Sequence, residues 1–137
     1  MLNIAAVPAS TGLDAARDHQ GRFSCLRADV EGVVRLGVAG ELDIATAPQL
    51  ETALRDAEAD ADLIVLDLRK LTFMDCSSMR VLLAAHRRAR LAGGRLVVVR
   101  GQVDLARLFS LVGIDDELEL VDRPPAWPAV QAAAGSP

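Results

Sequence analysis

The chain has 137 residues, a length that suits one domain able to bury its own core without a structural metal or disulfide. Its formal net charge is −4, and its only aromatic residues are three phenylalanines and one tryptophan. This composition argues against direct nucleic-acid binding, which relies on a basic surface or on stacked aromatic side chains.

The terminal and cysteine patterns predict a cytoplasmic protein. Cys25 and Cys76 are far apart and do not form a disulfide framework. The apolar stretch at 2–7 is too short for a signal peptide, and no apolar run is long enough for membrane insertion. Residues 1–21 show no clear period and are predicted to be a flexible tail before a single domain at 22–134.

The first predicted elements form a β-hairpin followed by a helix. Strand-like residues 23–30 lead into a tight turn at Glu31-Gly32, and the chain returns as a second strand at 33–38. The segment 40–43 is predicted to end that strand. Thr46 is the predicted N-cap of the helix, whose apolar stripe consists of Ala47, Leu50, Leu54 and Ala57.

Strands and helices alternate through the rest of the chain. A buried strand is predicted at 63–68, a helix ended by Gly93-Gly94 at 76–92, and a second buried strand at 96–99. A helix at 103–112, a short strand or turn at 118–121 and a terminal helix at 126–134 are predicted to follow. This pattern predicts an α/β fold: a mixed, mostly parallel sheet of four to five strands with helices packed on it. The first hairpin supplies an antiparallel edge.

The segment 71–83, LTFMDCSSMRVLL, places polar residues at the start of a helix. A buried strand is predicted to end there, and after a short loop Asp75 to Ser78 open the helix. Free N–H groups and the helix dipole favour negative charge at such a position. A phosphoserine would be stabilised and would alter a docking surface. Asp75 is predicted either to cap the helix or to position a neighbouring acceptor side chain.

Four segments resemble the STAS family of anti-sigma-factor antagonists. They are GELDIATAPQL at 40–50, LIVLDLRKLTFMD at 63–75, LAAHRRARLAGGRLVVV at 83–99 and DLARLFSLVGIDDEL at 104–118. The resemblance implies a STAS-like fold and a protein that is not an enzyme and needs no cofactor. It implies that the unphosphorylated chain binds an anti-sigma factor of the serine kinase type and releases its sigma factor. Phosphorylation would end that binding, and a phosphatase would reset it.

The sequence departs from the family at the phosphorylated position. Members typically have Asp-Ser-Ser/Thr-Gly, whereas here Cys76 occupies the phosphoserine position, Ser77 matches the second hydroxyl and Ser78 replaces glycine. Three hypotheses follow: kinase control is lost, Ser77 or Ser78 accepts the phosphate, or Cys76 is a redox switch because helix N-termini favour the thiolate. Alternatively, Cys76 only fills a small space at the helix start.

Other residues are candidates for supporting the site or binding a partner: Asp43, Asp75, Met79 and Arg80. The resemblance places Asp43 near the phosphorylated position, although a turn residue is the simpler interpretation. The second helix is predicted to have a basic exposed side, which consists of Arg80, His86, Arg87, Arg88, Arg90 and Arg95. It is either a solvated face or part of a docking surface.

Two other functions compete with that of the antagonist. The first is an accessory subunit of a transporter or larger signalling assembly, which would have the same fold. The sequence leaves open whether the antagonist or the accessory subunit would form a homodimer. A thiol enzyme is disfavoured, because Leu82 stands where a cysteine phosphatase needs arginine. His86 is about 15 Å along the helix from Cys76, too far to act as its base. No cysteine and histidine spacing suits a metal.

Overall fold

The computed structural model describes residues 22–112 and 117–125. Within them, five strands form one sheet in chain order, β1-β2-β3-β4-β5. The elements are β1 (Phe23–Val30), β2 (Val33–Leu42), α1 (Ala47–Asp60), β3 (Leu63–Met74), α2 (Cys76–Leu91), β4 (Arg95–Val99), α3 (Leu105–Val112) and β5 (Glu119–Val121). The tail predicted at 1–21 and the terminal helix predicted at 126–134 lie outside the described residues.

The sheet is mixed, as the sequence predicts. β1 and β2 are antiparallel, and the remaining neighbours are parallel. Glu31 and Gly32 have φ angles of 47° and 84°, which a tight two-residue hairpin turn requires. Each parallel connection crosses to the next strand in the same direction. The usual right-handed crossover therefore places the described helices on one face of the sheet.

The main core lies between these helices and the sheet. Leu50, Leu54 and Ala57 of the predicted α1 stripe are fully buried. The inward residues of the strands include Leu36, Leu66 and Val98. A second, smaller cluster forms on the other sheet face around Val33, Val65 and Val99. Burial of both faces of β3 confirms the interpretation of its continuous apolar run.

β2 and β3 are longer than the sequence predicts. β2 continues to Leu42, so the predicted break at 40–43 is wrong. Gly40, with a φ of 93°, bends the strand without ending it. β3 continues to Met74, and no loop precedes Asp75. β3 carries two extra residues relative to β2, and these bulges interrupt the alternation that would have marked a strand.

The predicted end of α2 is confirmed. Gly93 has a φ of 81°, the N–H of Gly94 donates to the Ala89 carbonyl at 2.8 Å, and that of Gly93 donates to the Arg90 carbonyl at 3.1 Å. His86 is only 7% exposed, so its prediction as part of an exposed basic side is wrong. Among the described helices, none combines the length and apolar character needed to cross a membrane.

Candidate functional site

The loop after β2 and the start of α2 lie side by side. Both follow the carboxyl ends of neighbouring parallel strands, which meet at one edge of a sheet. The Asp75 N–H donates to the Leu42 carbonyl at 3.2 Å. The Ile44 N–H donates to the Asp75 carboxylate at 3.1 Å. These bonds join two of the segments that the sequence singles out.

Asp75 is the centre of this arrangement. Its Oδ1 accepts hydrogen bonds from the Ser78 N–H at 2.9 Å, the Ser77 hydroxyl at 2.8 Å and the Ser78 hydroxyl at 2.8 Å. Burial alone would raise the pKa of Asp75, but these bonds and the one from Ile44 outweigh it and lower that pKa. Asp75 therefore caps α2, as one of the two predictions stated, and its carboxylate also accepts a hydrogen bond from the Ser77 hydroxyl.

Asp43 shapes the loop after β2. Its Oδ1 accepts from the N–H groups of Ala45 at 2.9 Å and Thr46 at 3.1 Å, which is the pattern of a turn residue. Thr46 occupies the predicted N-cap position, but its side chain forms no cap. Its hydroxyl instead donates to the Glu41 carbonyl at 3.0 Å and accepts from the Asp43 N–H at 2.9 Å. The predicted N-cap position is therefore confirmed, although Thr46 does not cap the helix through its side chain.

The residues at the start of α2 differ sharply in exposure. Ser78 and Met79 are fully buried. Met79 is therefore a packing residue. The Ser78 hydroxyl is enclosed by the protein, which argues against Ser78 as a phosphate acceptor. Cys76 and Ser77 are half-buried and Arg80 is exposed. Cys76 and Arg80 are four residues apart and share one face of the helix.

The second cysteine lies in the core. Cys25 is 3% exposed, and burial raises the pKa of its thiol to about 12. A thiol in that state is a poor nucleophile and a poor partner for disulfide exchange. Cys25 is therefore a core residue. Within residues 22–112 and 117–125, no group of cysteine, histidine or acidic side chains is arranged to hold a metal ion.

Two apolar side chains at the site were missed from the sequence. Ile44 is 75% exposed and Phe73 is 48% exposed. Ile44 is the residue whose N–H binds Asp75, and Phe73 precedes Asp75 by two positions. Exposed apolar groups of this size are typical of protein-binding surfaces when they occur together. The α2-start surface is defined here as Ile44, Phe73, Cys76, Ser77 and Arg80.

Much of the predicted basic side is neutralised by neighbouring acids. Arg88 forms two hydrogen bonds of 2.8 Å with Glu58 of α1, and Arg87 pairs with Glu117 at 2.8 Å. Arg95 pairs with Glu119 of β5. Arg80 has no ion pair with another described residue and remains available on the α2-start surface.

Replacing Asp75 with alanine is expected to lower the free energy of unfolding by about 2 kcal/mol. The change removes the helix cap and leaves the N–H groups of Ser78 and Ile44 without their acceptor. Urea denaturation measures the loss. Asp75→Asn keeps one acceptor oxygen and is expected to lose about half as much. Equal stability of Asp75→Ala and the unchanged chain would show that the cap contributes nothing.

The sequence of this chain is similar to those of known proteins. A family model described as the STAS domain matches residues 27–133. An anti-sigma-B factor antagonist of Bacillus subtilis is 30% identical over 91 residues, covering 66% of this chain and 83% of that protein. An anti-sigma-F factor antagonist of Mycobacterium tuberculosis is 33% identical over 94 residues, covering 68% of this chain and 76% of that protein.

Solved structures show the same architecture. An anti-sigma factor antagonist from Mycobacterium paratuberculosis superposes with a TM-score of 0.61 at 29% identity, covering 83% of this chain and 92% of that chain. The unphosphorylated form of the anti-sigma factor antagonist SpoIIAA gives a TM-score of 0.61 at 19% identity, covering 81% and 98%. The fold class predicted from the sequence is confirmed.

Proposed function

This chain belongs to the STAS domain family, and from that premise we propose that it is an anti-sigma-factor antagonist. It acts by binding an anti-sigma factor of the serine kinase type, which then releases its sigma factor. Support comes from relatives that are themselves anti-sigma factor antagonists. The observation that carries the proposal is the exposure of Ile44, whose N–H binds the Asp75 cap of α2, together with that of Phe73 near the end of β3.

The α2-start surface has the composition of a protein-binding site. Ile44 and Phe73 supply exposed apolar side chains, and Arg80 adds an exposed cation. Aromatic and arginine side chains provide most of the binding energy at many interfaces. The bonds from Ile44 and Ser78 to Asp75 hold the surface in one shape before the partner arrives. Less entropy is then lost on binding.

We further propose that Cys76 disables control by phosphorylation. The thiol stands where the family carries its phosphoserine, and the two nearby hydroxyls are poor substitutes. Ser78 is fully buried. The Ser77 oxygen lies 2.8 Å from the Asp75 carboxylate, so a phosphate there would meet like charge and lose this hydrogen bond. The phosphatase implied by the resemblance is then not required.

A redox switch at Cys76 is the second candidate for regulation. The half-buried thiol is partly accessible, but it also packs against the core, which suits a purely structural role. Cys25 is buried in that core with a raised pKa and is not a suitable resolving thiol. An oxidised Cys76 would therefore need a partner thiol from another molecule.

The test is a pull-down from the native cytosol with and without ATP, followed by mass spectrometry of bound proteins and modified residues. The unchanged chain is expected to retain a serine-kinase-type anti-sigma factor in ATP and to carry no phosphate. Cys76→Ser is the matched variant, because it restores a hydroxyl at the family position. It is expected to become phosphorylated at residue 76 and to release the partner.

Each other outcome contradicts a definite part of the proposal. Phosphate on Ser77 of the unchanged chain would show that the switch survives at a shifted position. Recovery of a transporter ATPase would favour the accessory-subunit function instead. Absence of any serine-kinase-type protein from both samples would overturn the antagonist function and leave the family assignment alone.

A further inference from the structure

A groove of about 580 Å³ lies on the sheet face opposite the helices, across β1, β2 and β3. This volume is within the range of about 300–1,000 Å³ that small-molecule sites occupy. Its floor is formed by Gly37 and Ala39 of β2, and Leu26 of β1 lines its side. A Cβ at Gly37 would have no atom within 4 Å. The small floor residues therefore leave open apolar space over the middle of the sheet.

The groove is cationic although the chain as a whole is acidic. Asp67 is 7% exposed and accepts hydrogen bonds from Arg35 at 2.9 Å and Arg69 at 2.7 Å. Burial alone would raise the pKa of Asp67, but the bonds from Arg69 and Arg35 lower that pKa to about 2. Lys70 also lines the groove, so its lining carries three positive side chains and one carboxylate, whereas the net charge of the chain is −4.

A bulge in β3 creates this charge arrangement. Gly37 pairs with Asp67 and Ala39 with Lys70, so β3 has one residue more than β2 over this stretch. Regular alternation would turn Lys70 toward the core, since Asp67 and Arg69 face the groove. Because of the bulge, Arg69 and Lys70 are both exposed and both line the groove. Lys70 is also the only lysine of the sequence.

We propose that this groove binds a small organic anion with a flat apolar body and one carboxylate, sulfonate or phosphate group. The apolar body lies over Gly37 and Ala39, and the anionic group meets Arg69 and Lys70. Hydrogen bonds between charged groups are stronger than neutral ones, so the anion contributes much of the affinity. The residues that line the groove include none of the α2-start surface, and the site does not depend on the proposed antagonist function.

The probe for the test is 8-anilinonaphthalene-1-sulfonate, and its neutral analogue N-phenyl-1-naphthylamine is the comparison. Titration into the isotope-labelled full chain is followed by amide chemical shifts and by probe fluorescence. Saturable shifts are expected at Leu26, Gly37, Ala39 and Lys70. The neutral analogue is expected to bind at least about tenfold more weakly, which corresponds to losing one charged hydrogen bond.

Two variants test the two halves of the site. Gly37→Val fills the floor without backbone strain, so it is expected to fold normally and abolish saturable binding. Lys70→Glu is expected to weaken binding at least about tenfold. Arg107→Glu, an exposed charge reversal on α3, is the matched control and is expected to leave binding unchanged.

The proposal is overturned if Gly37→Val binds the probe as well as the unchanged chain does, or if the neutral analogue binds as tightly as the sulfonate. It is also overturned if the amide shifts cluster at Ile44 and Phe73.

Discussion

Replacing Ile44 and Phe73 together with aspartate is expected to weaken binding to the anti-sigma factor at least about 100-fold. The double variant removes the two large apolar side chains of the α2-start surface and would bury two carboxylates without partners in the complex. Both side chains are largely exposed in the free protein, at 75% and 48%. The fold should therefore be retained. Calorimetric titration measures the affinity, and urea denaturation checks that stability changes by less than about 0.5 kcal/mol.

The control for this experiment lies at the other end of α2. Leu91 is 89% exposed and ends the helix, so Leu91→Asp removes a comparable apolar side chain from a distant position. It is expected to bind the anti-sigma factor as tightly as the unchanged chain. If Leu91→Asp weakens binding as much as the double variant does, the docking surface extends along α2. If the double variant binds normally, the α2-start surface is not the docking site.

Gly40→Ala is expected to lower the free energy of unfolding by about 3 kcal/mol. Gly40 has a φ of 93°, which an alanine adopts only with strain. A Cβ there would also lie 1.8 Å from the carbonyl oxygen of Arg22, which accepts a hydrogen bond from the Glu41 N–H at 2.9 Å. The strand at the edge would have to move away. Urea and thermal denaturation report the loss.

Gly37 of the same strand is the matched control for Gly40. A Cβ at Gly37 meets nothing within 4 Å, and its backbone does not need glycine. Gly37→Ala is expected to be neutral or stabilising by up to about 1 kcal/mol, because alanine restricts the unfolded chain. Similar losses for both substitutions would mean that glycine flexibility along β2, and not the close approach at Gly40, determines the stability.

Local signals in the sequence were sufficient for most of the fold. Glu31-Gly32 and Gly93-Gly94 mark a turn and a helix end through their own backbone preferences, and both are where the sequence predicts them. The position of His86 was also available from the sequence. It lies four residues after Leu82 and three after Leu83, both of which are buried, so helical spacing places it on the inner side.

The extents of β2 and β3 could not be predicted in the same way. Their bulges depend on how two strands pair, and the sequence of one strand alone does not determine that register. The same limit applies to Phe73, whose apolar side chain suggests burial although the bulged strand exposes it. Asp75, by contrast, follows a local capping rule and was predicted. The roles of Cys76 and Ser77 in regulation stay predictions.

The order of strands in the sheet has a consequence for how the chain folds. Each of the five described strands pairs with the strand that directly precedes or follows it in the chain. The entropic cost of closing a loop rises with its length, and folding slows as contacts become more distant along the chain. The β1–β2 hairpin can therefore form first and accept each helix and strand in the order of synthesis. Among the described strands, each one joins the strand synthesised directly before it, so the sheet can grow while the chain is being translated.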